Sequence, residues 1–185
     1  MNTISNLIFE LSRDPFNPDI NFDVAEEYLN NNQTASAVSF YLRCVEYDHE
    51  NSDLGYASLI RMAQCFENQR GREYSVTNCL LQAIALDETR PEAYWLLSQF
   101  HERAGNWQEC YTWATIGLGW CHGSDDLPAR IGYEGEISFN FQLAISAYWI
   151  GRKEECITRL QELASRNLPE HYRVAVQNNL EKVNG

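Results

Sequence analysis

Four histidines, six cysteines and a set of acidic pairs are the side chains with which this chain could do chemistry, and their spacing decides which chemistry is open to them. His49, His101, His122 and His171 are scattered, which fits surface or packing roles better than general-base catalysis. Glu26-Glu27 and Glu154-Glu155 are adjacent on expected helices, so the two carboxylates of each pair point in different directions and cannot share a proton. Cys121-His122, beside Asp125-Asp126, is the one cluster that suggests a metal, and it lacks the second Cys or His pair that zinc spacing requires. Asp48-His49-Glu50 falls at an expected helix end and reads as a solvated turn. There is no phosphate-binding glycine loop, no nucleophile elbow and no paired-histidine zinc helix. The expectation is a chain that is not an enzyme and holds no cofactor and no metal.

The cysteines point the same way. Cys44, Cys65, Cys79, Cys110, Cys121 and Cys156 show no Cys-x-x-Cys spacing. Cys44, Cys110 and Cys156 stand where small residues are needed, so buried free thiols in a reducing compartment are expected.

The elements that would position any functional side chain follow one pattern: a helix, a tight turn, then a helix marked by small residues. Tyr94, Leu97 and Ser98 lead through Gly105-Asn106-Trp107 to Cys110, Ala114 and Gly117. Asn140, Leu143, Ala144 and Ala147 lead through Gly151-Arg152-Lys153 to Cys156, Leu160 and Leu163. Earlier copies run from Leu59, Met62, Ala63 and Phe66 past Arg70-Gly71 to Val76, Leu80 and Ala83, and from Val24, Ala25 and Tyr28 past Asn32-Gln33 to Ala37, Tyr41 and Cys44. Small side chains are needed where helix backbones cross closely, and Gly supplies the left-handed residue that ends a helix. The last marker moves from Cys44 to Ala83, Gly117 and Leu163, steps of 39, 34 and 46 residues. The pattern predicts an all-α domain over 1–185 with hairpins at about 21–47, 55–86, 91–118 and 136–165. A long loop over 119–135 holds four of the ten glycines, and a capping helix is expected over 169–182, opened by Leu168-Pro169-Glu170. Ile4, Leu7, Ile8 and Leu11 are spaced for a short amphipathic helix before the Asp14-Pro15 break, and Asn51-Ser52-Asp53 reads as the capping signal of the second hairpin.

Size and charge bound the function. At 185 residues the chain suits one cooperative unit, and its net charge of −12 disfavours nucleic acid, whose phosphates it would repel. Up to Gly55, ten acids face Arg13 and Arg43, a net of −8. Arginines number twelve, while Lys153 and Lys182 are the only lysines. No apolar run approaches the roughly 20 residues of a membrane span, and Met1 to Leu11 lacks a basic leader segment. A cytoplasmic protein without membrane or nucleic-acid partners is expected.

From about Asn21 to Ala164 the quoted residues resemble tetratricopeptide (TPR) repeats, whose period is roughly 34 residues. Arg90-Pro91-Glu92-Ala93-Tyr94 with Gly105-Asn106-Trp107 carries the resemblance best, and Ser98 stands where that family usually has Gly. The resemblance implies a short solenoid of about four helical hairpins with a C-terminal cap, acting as a protein-interaction module. The distal half, through Gly117-Leu118, Tyr133-Glu134, Leu143 to Arg152, Leu168-Pro169 and Asn178-Asn179-Leu180, also resembles the TPR-type segment that follows the catalytic domain of some family 2 glycosyltransferases. That implies a module positioning glycan or acceptor for a separately encoded glycosyltransferase.

First helices of stacked hairpins line a groove. By position the groove residues are Arg61 and Gln64, then Trp95, Gln99, Glu102 and Arg103, then Phe141, Gln142, Ile145, Tyr148 and Trp149. Aromatic, Arg and amide side chains mixed in this way suit recognition of a peptide or protein partner. The basic clamp with which some TPR proteins hold carboxylate tails has no counterpart, since this groove offers Arg61 and Arg103 and almost no Lys. The alternatives are the glycosyltransferase accessory and a homo-oligomer formed through Ile4 to Leu11 and the terminal helix.

Overall fold

The computed structural model describes residues 3–48, 53–121, 127–129 and 131–184, and among these all regular structure is helical. His49, Glu50, Asn51, Ser52, His122, Asp125 and Asp126 lie outside the described residues, and with them parts of the predicted cap and of both acidic clusters. The helices are α1 (Thr3–Arg13), α2 (Pro18–Asn30), α3 (Thr34–Tyr47), α4 (Asp53–Glu67), α5 (Glu73–Leu86), α6 (Glu92–Arg103), α7 (Trp107–Leu118), α8 (Glu136–Trp149), α9 (Lys153–Ala164) and α10 (Glu170–Asn184). They pair as hairpins α2–α3, α4–α5, α6–α7 and α8–α9, with α1 against α2 and α10 against α9.

The repeat register is visible in the turns. A residue with positive φ ends the first helix of each hairpin: Asn32 at 59°, Gly71 at 72°, Gly105 at 72° and Gly151 at 85°. These positions follow one another at the same steps of 39, 34 and 46 residues as the markers Cys44, Ala83, Gly117 and Leu163 of the second helices. In three turns the residue after it donates its N–H back over five positions, Gln33 to Tyr28 O, Asn106 to His101 O and Arg152 to Ala147 O, closing the helix end. Asn32 replaces Gly in the first turn because Asn tolerates the left-handed region better than other side chains. Helix α2 begins at Pro18, earlier than the predicted hairpin start near Asn21. Asn17 caps it, its Oδ1 accepting the Ile20 N–H at 3.1 Å, and Pro18 occupies the first turn, where no N–H is needed.

Contacts divide the chain into two compact units. The first runs to Glu88 and includes 127–129 of the later linker; the second takes the rest of the chain from Thr89. In the first unit Val24, Ala25, Ala37, Tyr41, Cys44, Ile60, Ala63, Leu80 and Ala83 are buried. In the second, Cys110, Ala114 and Gly117 of α7 face α6 and α8. A Cβ on Gly117 would lie 2.4 Å from the Phe139 ring and 2.7 Å from Tyr94 Cβ, so only Gly fits there. Ala144, Ala147, Cys156, Leu160 and Leu163 form a core closed by Val176 and Val183 of α10. Ser98, at the position where the resemblance expects Gly, is buried and donates its Oγ–H to Trp95 O at 2.7 Å.

Candidate functional site

In the first unit, the predicted groove residues are engaged within the fold. Arg61 donates through Nε and Nη2 to the two carboxylate oxygens of Glu26, at 2.8 and 3.1 Å, and through Nη1 to Gln64 Oε1 at 3.2 Å. Tyr41 donates its O–H to the same Glu26 at 2.5 Å, so one carboxylate ties α2, α3 and α4 together. Burial, then the Glu26 carboxylate accepting its proton, pushes the Tyr41 hydroxyl far above the usual tyrosine range. Arg61 therefore clamps α4 to α2, and Gln64, one turn along the same helix, helps hold the guanidinium in place.

The second unit divides its predicted residues between core and surface. Trp95 is only 4 % exposed: the linker residue Tyr133 packs on its ring at 5.9 Å between centroids, and Phe139 packs on Tyr133 in turn. Gln142, 3 % exposed, accepts the Cys110 thiol at Oε1 (3.4 Å) and donates from Nε2 to Glu102 at 2.9 Å. Neither presents a surface to a partner, against the sequence expectation. Covering by the linker buries Trp95, and the α6–α7–α8 junction takes up both ends of the Gln142 amide. Phe141 is half-buried with one edge on Tyr172 of α10, and the Tyr172 hydroxyl donates to Ser138 Oγ at 2.9 Å.

What remains at the surface is a smaller set. Gln99 is half-buried and Arg103 exposed on α6. Tyr148 is 41 % and Trp149 59 % exposed in the last turn of α8. Trp149 stacks on Trp107, at the start of α7, with centroids 5.1 Å apart and planes at 12°, and meets Tyr148 edge-on at 5.5 Å. Beside this pair the Arg152 guanidinium lies 4.7 Å from the Tyr111 ring centre, while Tyr111 donates to Glu155 at 2.9 Å. Partial burial raises the Glu155 carboxyl, but hydrogen bonds from Arg159 and Tyr111 and the charges of Arg159 and Arg152 outweigh it and hold the group below the usual glutamate range. Next to Tyr148 and Trp149, between α8 and α10, a cavity of about 290 Å³ is lined further by Ile145, Asn179, Lys182 and Val183, with the buried Cys156 behind them.

The sequence reading missed Trp107, taken there as a turn marker, and the α10 residues Asn179, Lys182 and Val183. The signal that could have found Lys182 is its rarity, since it is one of two lysines and lies on the helix that follows the last hairpin.

Among the described residues no group of three or more His, Cys, Asp or Glu could hold a metal ion, and no helix is long and apolar enough to cross a membrane. Five cysteines are buried, and burial pushes the thiols of Cys44, Cys65 and Cys79 up to about 11 and that of Cys110 up to about 12. His101 is held below the usual histidine range by burial, against the opposing charge of Glu109.

No protein-family model and no curated protein matches the chain. Solved structures do. MamA is 14% identical at a TM-score of 0.65, with 97% of this chain and 89% of that one covered. PilW, a widely conserved type IV pilus biogenesis factor, is 13% identical at a TM-score of 0.71, covering 94% of this chain and 73% of that one. A thermophilic TPR protein in Thermus thermophilus is 11% identical at 0.55, covering 97% and 88%. At such identities the likeness establishes the fold, which is that of an all-α TPR solenoid.

Proposed function

We propose that this chain is a non-catalytic TPR adaptor whose second unit holds a peptide or protein segment on the face presented by Gln99, Arg103, Phe141, Tyr148 and Trp149. The observation that carries this reading is the exposed aromatic group at the end of α8. A 59 % exposed Trp stacked on a second Trp, with an exposed Tyr against its edge, keeps a large, rigid apolar surface in water. Such a surface contributes little to the fold it sits on, and rigid aromatics bind at low entropy cost. The TPR fold supports the same reading, because stacked helical repeats present extended surfaces suited to a partner chain. A reducing compartment such as the cytoplasm accords with six free cysteines.

Site-specific photocrosslinking in the native host tests it. A photoreactive residue at Gln99 or Tyr148 is expected to give a discrete protein adduct, whereas one at the exposed Thr158 of α9 gives none. Equal adducts from all three positions would overturn the reading.

One observation favours the glycosyltransferase-accessory alternative: the outer face of the Trp149 ring is of a kind on which a sugar ring can stack. Saturating shifts of the Trp149 indole resonance with a panel of monosaccharides and nucleotide sugars would select that reading. No shift with any of them would remove it.

A further inference from the structure

The cavity between α8 and α10 has walls of two kinds. Ile145, Val183 and the Trp149 ring are apolar, whereas Lys182 carries the only charge among the described residues that line it. Among the described residues Lys182 has no ion pair, although the chain as a whole has a net charge of −12 and holds only two lysines. Asn179 spends its N–H on Ala175 O at 2.8 Å, which leaves Oδ1 able to accept. The neighbouring carboxylate of Glu181 is engaged by Gln177, one turn earlier on α10, and is absent from the cavity wall.

We infer that this cavity anchors a partner peptide by one large apolar side chain, with an acidic residue beside it in the peptide paired to Lys182 and a peptide N–H donated to Asn179. The inference rests on the protein-binding reading of the second unit and narrows it to a partner chemistry. Size supports a single anchor, because about 290 Å³ lies at the lower edge of the roughly 300–1,000 Å³ of pockets that enclose drug-sized ligands. Charge supports the acid. A carboxylate approaching an acidic protein is repelled except where an unpaired ammonium meets it, and at this cavity that ammonium stands against an apolar wall, where water screens the pair less. The long-range field thus disfavours acidic peptides in general, and the local pair selects those with an apolar residue next to the acid.

A random heptapeptide display selection on the intact chain, run in parallel on Lys182→Glu, tests this. Enriched peptides are expected to carry Leu, Met or Phe next to Asp or Glu and to lose enrichment on Lys182→Glu, which should instead favour Lys or Arg beside the apolar residue. The most enriched peptide, synthesised and titrated into ¹⁵N-labelled protein, should move the indole N–H resonance of Trp149, identified by its loss in Trp149→Phe. Its affinity should fall at least about tenfold with Lys182→Glu. Circular dichroism checks that the variant is folded, and Lys182→Gln, expected between the two, guards against a misfolded charge reversal. Enrichment without acid preference, no enrichment at all, or shifts confined to Gln99 and Arg103 would overturn the assignment; the last would leave the protein-binding reading standing. Failure of crosslinking from Gln99 and Tyr148 would remove that reading separately. Phe9 and Glu10 of α1 offer the same pairing on a second copy, with Phe9 exposed. If the protein sediments as an oligomer that either Phe9→Ala or Lys182→Glu dissociates, the occupant is another copy of the chain and the external-peptide assignment is overturned.

Discussion

Arg61, Glu26 and Tyr41 form a charge-assisted cluster whose members come from three helices, and its worth depends on how little water reaches it. The Arg61 and Glu26 side chains keep only 18% and 26% of their exposure. Removing the guanidinium would leave a half-buried carboxylate with one neutral donor. Arg61→Ala is therefore expected to cost about 1–3 kcal/mol, below the fully buried case, with partner binding in the second unit unchanged. Thermal melts read the first effect and the heptapeptide titration the second. Trp95→Ala should act on the fold as well. It empties a buried aromatic site against Tyr133, and about 3–5 kcal/mol is expected for such a loss. If Trp95→Ala melts like the parent and only binding falls, Trp95 is a recognition residue after all. Trp149→Ala is the converse case: an exposed ring should leave the melting temperature nearly unchanged and weaken peptide binding by about 1–2 kcal/mol.

At the scale of the helices, small residues record where backbones meet, and that is why the crossings were legible. Cys44, Ala83 and Gly117 recur in step with Asn32, Gly71 and Gly105 because each hairpin closes and crosses at a fixed distance along the chain. Gly117→Ala tests the tightest crossing. The added methyl would overlap both the Phe139 ring and Tyr94, in α8 and α6, so a loss of about 1–3 kcal/mol is expected on chemical unfolding. Parent-like stability would mean that α7 sits further from its neighbours. Helical position failed where non-repeating chain intervenes. The face of α6 that holds Trp95 is covered by Tyr133, from a linker with no period to read, and Gln142 is buried by a contact with Glu102 forty residues away. The cavity at α10 was invisible for a related reason. It depends on how a capping helix packs after the repeat has ended, and neither spacing nor residue type fixes that geometry. The exposed end of α8 was legible, because Tyr148 and Trp149 stand immediately before the turn at Gly151, outside the run of small packing residues.

Across the whole molecule the net charge of −12 sets how stability should answer to pH. In the first unit, partial burial and then the carboxylates of Asp19, Glu26, Glu10 and Glu27 raise Asp23 above the usual aspartate range. A carboxyl raised on folding binds its proton more readily in the native state. Its charged form therefore opposes folding at neutral pH, and the opposition lifts as pH falls through its folded value. In the second unit Glu155 has the opposite sign. Its folded value is depressed, so its stabilisation is complete above the ordinary glutamate range and is lost as pH falls through the depressed value. The two contributions have opposite signs, so acidification relieves the repulsion at Asp23 and removes the stabilisation at Glu155. Stability is expected to rise or hold from neutral pH to about 5, as the general repulsion among carboxylates also weakens, and to fall below about 4. Melting temperatures measured across that range at fixed ionic strength check the shape. Asp23→Asn should raise the melting temperature at pH 7 and reduce the gain on mild acidification. Glu155→Gln should lower it at pH 7 and flatten the acid-side fall. Added salt should mimic mild acidification, since screening shortens the reach of the repulsion to about a Debye length of 10 Å at 0.1 M. A melting temperature that drops steadily from pH 7, together with a destabilising Asp23→Asn, would show that the acidic first unit is held by its charges rather than strained by them.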